Sequence, residues 1–299
     1  MKPVDLHASL KMSLTVGLLA AAFSVQGQST YSWMSPDVGK AWDSGYKGQG
    51  ATITVVDDFS GDSPFSGNLG TGGQLQGHGD WTALQASMIA PEAMVVQRNW
   101  GSEAVALTQG RLNVLNMSYG MYARSGYGVN RISWSGQEQS IINYAKTGAA
   151  VIAKAAGNDA VAVGRANRSG NVDYLNLALK GAPSAIYVGA LSSNGSTTAK
   201  ASLASYSNYA GSDSAIQKNF LVVGVKGDTT GLYGTSFAAP IISGYAAVIG
   251  SKFTAATPTQ IANQLLTTAR TDTLRNYRAS VYGRGEASLT RALAPVSIR

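Results

Sequence analysis

Cysteine is absent from the 299-residue chain, which excludes disulfides, thiolate metal sites and a cysteine nucleophile. Histidine is nearly as scarce, with His7 and His78 the only two, so any proton transfer through imidazole has few residues to choose from. Charged residues make up 13% of the chain, and the excess of 23 Lys and Arg over 16 Asp and Glu is scattered, with no basic block. We read the resulting charge of +7 as a solubility trait and expect no nucleic-acid partner. No apolar run reaches the roughly 20 residues that a membrane-spanning helix needs. Internal repeats are missing, and no acidic loop has a ligand spacing that assigns a metal; structural calcium stays open and unassigned.

What is present suits a secreted globular protein. A hydrophobic content of 44% over this length can bury a full core, and the absence of linker-like stretches points to one domain. At the N-terminus, Lys2 and Lys11 bracket a short polar lead that also holds Asp5, the apolar run MSLTVGLLAAAFSV follows, and Val25 and Gly27 are small residues suited to cleavage. Residues 1–27 therefore read as a signal peptide and 28–299 as the mature domain, secreted or periplasmic once the leader is removed. With no cysteine to carry a lipid, the mature chain is expected to be free of the membrane, and a monomer.

After residue 50, β-branched runs alternate with helical ones, the pattern of an α/β fold on a mainly parallel sheet. TITVVD (52–57), LNVLNMS (112–118), AAVIA (149–153), SAIYVGAL (184–191) and FLVVGV (220–225) are apolar nearly throughout, as strands covered on both faces should be. Between them GQEQSIINYAKTG reads as a helix. TPTQIANQLLTTAR places Ile261, Leu265 and Leu266 on one face behind a Thr257 to Gln260 capping box with Pro258 at the first helical position. The run SFAAPIISGYAAVIG is apolar on every side and predicts a helix in the middle of the domain.

Ligands of open α/β sheets sit outside the carboxyl ends of the strands, and polar residues gather there. Asp57 and Asp58 end the first strand, Asn158 follows the third in AAGND, and His78 in QGHGDW opens a helix. Ser236 stands in GTSFAAP, where it either caps the buried helix or serves as a nucleophile. A serine needs a base to take its proton, and with His7 in the leader, that base in the mature chain can only be His78. A lone histidine at a helix start is equally compatible with a capping role. Neighbouring residues on a strand point to opposite faces, so only one of Asp57 and Asp58 can meet His78.

These stretches together resemble the subtilases, the subtilisin-like serine peptidases, over about residues 48–293. GQGATITVVDD is similar to the family's aspartate strand, GHGDWTA to its histidine helix, LNMSYG to its substrate-pairing strand, AAGN to its oxyanion segment and GTSFAAP to its nucleophile motif. The order Asp, His, Ser is the subtilisin arrangement. The resemblance implies a single-domain three-layer fold with a buried central helix after the nucleophile, and a secreted endopeptidase that acts through an acyl-enzyme. It implies a catalytic set of Ser236, His78 and Asp57, with Asn158 in the oxyanion hole. Ser118, Tyr119 and Gly120 would pair with the peptide, and Ala155, Ala156 and Gly157 would wall the pocket for the residue before the cut. These small residues suggest a pocket for a medium or large apolar side chain. No cofactor is required for that chemistry.

Some positions depart from the family pattern. Asp58 and Phe59 follow the aspartate, Tyr119 replaces leucine, Trp81 replaces a second histidine and Ile241 replaces the histidine after Pro240. Such changes keep open a subtilase-fold protein that binds peptides or partners with little turnover; an esterase is a more distant alternative. Residues 28–50 are too few for a folded inhibitory pro-domain. VYGRGEASLTRALAPV resembles the closing segment of subtilase domains found in autotransporters.

Overall fold

The computed structural model describes residues 30–60 and 63–298, so the leader inferred at residues 1–27 lies outside the described residues. Its strands are β1 (Ala51–Asp57), β2 (Phe65–Gly67), β3 (Gln74–Gln76), β4 (Met94–Asn99), β5 (Leu112–Met117), β6 (Tyr122–Arg124), β7 (Val151–Ala155), β8 (Asn171–Asp173), β9 (Ala185–Leu191) and β10 (Phe220–Gly224). Six of them form one sheet in the order β10-β9-β7-β5-β1-β4, and every neighbouring pair is parallel. From β1 the chain runs outward to β4 and then returns to β5 on the other side of β1, so the connections diverge between β1 and β5. That divergence opens a crevice at the carboxyl edge of the sheet.

Successive side chains leave a strand on opposite faces, and each face here meets helices. Ile53 and Val55 join Ile186 and Val188 in one core layer with the helices His78–Ile89, Ala239–Lys252 and Pro258–Thr267. Val56, Leu115 and Tyr187 join the opposite layer with Ile141 and Ile142 of the helix Gly136–Thr147. The result is the three-layer α/β fold that the apolar strand runs imply. Helix ends follow their sequence signals: Ser135 caps Gly136–Thr147, left-handed Gly148 ends it, and Thr257 with Gln260 forms the capping box of Pro258–Thr267.

Ala239–Lys252 is buried along 12 of its 14 residues, which places it inside the domain. A three-residue 3₁₀ turn, Thr235–Phe237, leads into it, and the helix's own cap residue, Ala238, makes no side-chain cap bond. Ser236 therefore sits one turn ahead of the helix and does not cap it. Where the buried helix crosses the histidine helix, a Cβ on Gly244 would come within 2.4 Å of Ile89 Cγ2. The absence of a side chain lets the two helices meet. Gly244→Val is expected to destabilise the fold by about 1–3 kcal/mol through overpacking, read as a lower urea midpoint at unchanged m.

Candidate active site

Asp57 is the last residue of β1 and is fully buried, so its carboxylate must find partners at the sheet edge. His78 begins the next long helix and supplies one: Nδ1 lies 2.7 Å from Asp57 Oδ1. The same oxygen accepts the Asp58 backbone N–H at 2.8 Å, and the Thr82 hydroxyl stands 3.2 Å from Oδ2. An ionised carboxylate only accepts, so the proton of the neutral ring is on Nδ1 and Nε2 is left as a free base. Asp58 turns away and accepts from the Ser60 backbone and hydroxyl, and these bonds hold its exposed carboxyl below the usual range.

Ser236 is brought to this edge by the turn before the buried helix. The following residue, Phe237, packs its ring 5.7 Å from the imidazole, centroid to centroid. The Ser236 hydroxyl donates to the Ser118 carbonyl at 3.0 Å, and the Ser118 hydroxyl donates back to the Ser236 carbonyl at 2.8 Å. These reciprocal bonds tie the Ser236 turn to the end of β5. Within the turn, the Phe237 and Ala238 N–H groups bond back to Gly234 and Thr235. The Ser236 N–H precedes those bonds and is a donor of the kind that a helix start leaves free.

Asn158, just beyond β7, is held by a residue the sequence did not single out. The Thr235 backbone N–H and hydroxyl both donate to Asn158 Oδ1, at 2.8 and 2.9 Å, and the Gly157 N–H donates to the Thr235 hydroxyl at 3.0 Å. With Oδ1 doubly engaged, the amide NH₂ is the group that Asn158 offers to the cleft. Gly234 adopts φ 120°, and a Cβ there would stand 3.2 Å from Asn158 Nδ2, so this glycine serves both the backbone turn and the amide.

Beside Ser236 lies a cleft of about 350 Å³. Ser118, Tyr119, Gly120, Ala155 and Gly157 line it as the sequence suggests, whereas Ala156 is buried in the core with its carbonyl bonded to Asn176 and Asn208. Tyr119 does more than replace a leucine. Its hydroxyl donates to the buried Glu138 at 3.1 Å and its ring meets Trp100 edge-on, while burial followed by the Glu138 charge pushes its phenol far up. The remaining wall is unlike the apolar pocket anticipated from the alanines and glycine. It carries Tyr122, Lys154, Asp159, Asn167 and Asn171. Tyr122 and Asn171 of this wall come from the antiparallel pairing of β6 with β8, which joins segments about 50 residues apart that share no local pattern, while Lys154 lies in β7 and Asp159 and Asn167 lie between β7 and β8. Lys154 alone carried a signal in the sequence, a charge within an apolar strand.

The arrangement supplies a base oriented by a buried carboxylate, a hydroxyl at the same sheet edge, an amide donor beside it and a cleft leading away. Residues 65–285 match the model of the subtilase family of peptidases, a stretch that takes in His78, Asn158 and Ser236 and begins after Asp57. Among solved structures, the chain is similar to the prenylagaramide maturation protease PagA (19% identity, 87% of this chain and 98% of that one, TM-score 0.55). It is also similar to a protease of Pseudoalteromonas arctica (18%, 89% and 94%, TM-score 0.54) and to MycP1 of the ESX-1 type VII secretion system (20%, 89% and 87%, TM-score 0.54). At these identities the structural matches speak to the fold alone. A search of curated protein sequences found no significant match. The family match covers most of the chain, and on that ground the protein belongs to the subtilase family and is a serine-type peptidase.

Proposed function

We propose that the chain is a secreted endopeptidase in which Ser236 is the nucleophile, His78 the general base and Asp57 the group that orients it. The observation that carries this reading is the 2.7 Å contact between His78 Nδ1 and the buried Asp57, which leaves Nε2 as the ring nitrogen without a protein partner at the sheet edge that also holds the Ser236 turn. A peptide laid along Ser118–Gly120 would add as a strand and donate an N–H to the Ser118 carbonyl. That carbonyl now holds the Ser236 hydroxyl, so peptide binding releases the hydroxyl to turn toward Nε2. Catalytic hydrogen bonds commonly tighten only once substrate is present.

Attack by Ser236 Oγ on the scissile carbonyl passes its proton to His78, and Asp57 stabilises the imidazolium. The Asn158 amide and the Ser236 N–H receive the developing oxyanion. His78 then protonates the leaving amine, and water, activated by the same base, releases the acyl group. Every group in this sequence is a protein side chain or backbone, so no cofactor enters. Asn158→Ala is expected to lower kcat by about 10²–10³ with little change in KM, a magnitude carried over from the corresponding asparagine of subtilisin. Steady-state kinetics on one peptide would check it.

The apolar N-terminal run with small residues at its end supports a signal peptide at 1–27, and with it a single peptidase domain from 28 to 299 that is secreted or periplasmic. Among the described residues no helix is long and apolar enough to cross a membrane. The Ser236 to Ser118 bond favours one other reading, a peptide binder in which the hydroxyl stays docked. Casein digestion by the purified full chain decides between them: the peptidase cleaves and is silenced by a serine-directed phosphonate, whereas the binder leaves casein intact.

A further inference from the structure

The cleft beside Ser236 has a charge balance that bears on the substrate. Lys154 and Asp173 form an ion pair of 2.8 Å, with both side chains buried, at 1% and 4% exposure. The lysine ammonium also donates to the Ala155 carbonyl at 2.6 Å, and Asp173 Oδ1 accepts the N–H groups of Met121 and Leu175. A buried pair so well bonded is neutral as a unit. It forms a fixed floor to the cleft.

Asp159 is different. Its carboxylate lines the same cleft, half-buried, and its partners are neutral: the Tyr122 hydroxyl at 3.2 Å and the Asn167 amide at 3.1 Å. The ion pairs among the described residues do not include it. Tyr122 stays a neutral donor, because burial first and then the Asp173 and Asp159 charges push its phenol far up. Each Asp159 oxygen has taken one hydrogen bond and can accept another. The empty cleft therefore carries one uncompensated negative charge.

We propose that this cleft selects arginine or lysine as the residue before the cut, with Asp159 as the group that receives the cationic head. The inference rests on the peptidase reading of Ser236 and adds its substrate class. A basic side chain brings the cleft to neutrality and forms charge-assisted hydrogen bonds with Asp159. An apolar side chain would strip water from that carboxylate without giving it a partner, and an acidic one would add a second negative charge. The small wall of Ala155 and Gly157 leaves room for the long aliphatic stem.

The test is a series of peptides identical except for Arg, Lys, Gln, Leu, Phe or Glu before the cut, with kcat/KM measured on the full chain. Phosphonate labelling of Ser236 is followed in parallel. Arg and Lys are expected to lead Leu and Phe by about tenfold or more, with Glu last, the scale of a hydrogen bond to a charged group. Asp159→Asn should cut the Arg to Gln ratio about tenfold, and Asn171→Asp, which adds a carboxylate to the same wall, should raise it. Labelled enzyme that prefers Leu or Phe, or an Arg to Gln ratio unmoved by Asp159→Asn, would overturn the proposal while leaving the peptidase reading intact. A chain that is neither labelled nor active on any peptide would remove both.

Discussion

Ser236→Ala is expected to lower kcat on any peptide by about a millionfold, a magnitude taken from the nucleophile of subtilisin. In the proposed mechanism this side chain forms the covalent bond, and no neighbouring hydroxyl takes its place. The Ser118 hydroxyl is close by, but it donates to the Ser236 carbonyl. His78 and Asn158 remain in the variant. What survives should be the modest catalysis that the oxyanion donors and substrate positioning provide alone. Stability should change little, since the variant loses only the bond to the Ser118 carbonyl, worth about 1 kcal/mol. A melting temperature close to the parent's, together with KM in the parent's range, would establish that the loss lies in the chemical step.

Lys154→Met carries the largest expected effect on stability. The substitution leaves Asp173 buried without its cation, and removing one partner of a buried ion pair costs about 3–5 kcal/mol. For a domain of this size that corresponds to a fall in Tm of roughly 10 °C. Asp173 also holds the Met121 N–H and caps the short helix Tyr174–Ala178, so the strain would reach the cleft wall. Adding Asp173→Asn to Lys154→Met should recover most of the loss, because the asparagine oxygen keeps the backbone bonds without the charge. Calorimetry on the single and double variants checks both statements, and a single variant melting within 2 °C of the parent, a threshold of about 1 kcal/mol, would contradict them.

The parts of the fold that were legible share one property: they are buried on both faces or closed by a strong cap. TITVVD and SAIYVGAL are covered by helices above and below, so their apolar runs are continuous and easy to read. MVVQRN in β4 is an edge strand paired with β1 alone, and its exposed Met94 and Val96 break that signature. The three-residue strands β2, β3, β6 and β8 are too short to show any period. At the site, Asp57 and Asn158 stood out near strand ends, His78 because histidine is scarce, and Ser236 through its GTSFAAP motif. Thr235 and Thr82 did not, because a threonine that orients another side chain looks like any other threonine. The polar cleft was hidden for a topological reason: Tyr122 reaches Asp159 and Asn171 across a gap of at least 37 residues in sequence, and only the pairing of β6 with β8 closes it.

In the proposed mechanism the hydroxyl of Ser236, activated by His78, attacks an electrophilic centre. Mapping the adduct of a serine-directed phosphonate by peptide mass spectrometry tests it most directly. A single label on Ser236 is expected in the parent chain, and none in His78→Ala under the same conditions. Labelling of a different serine, or labelling of Ser236 that proceeds as fast without His78, would contradict it.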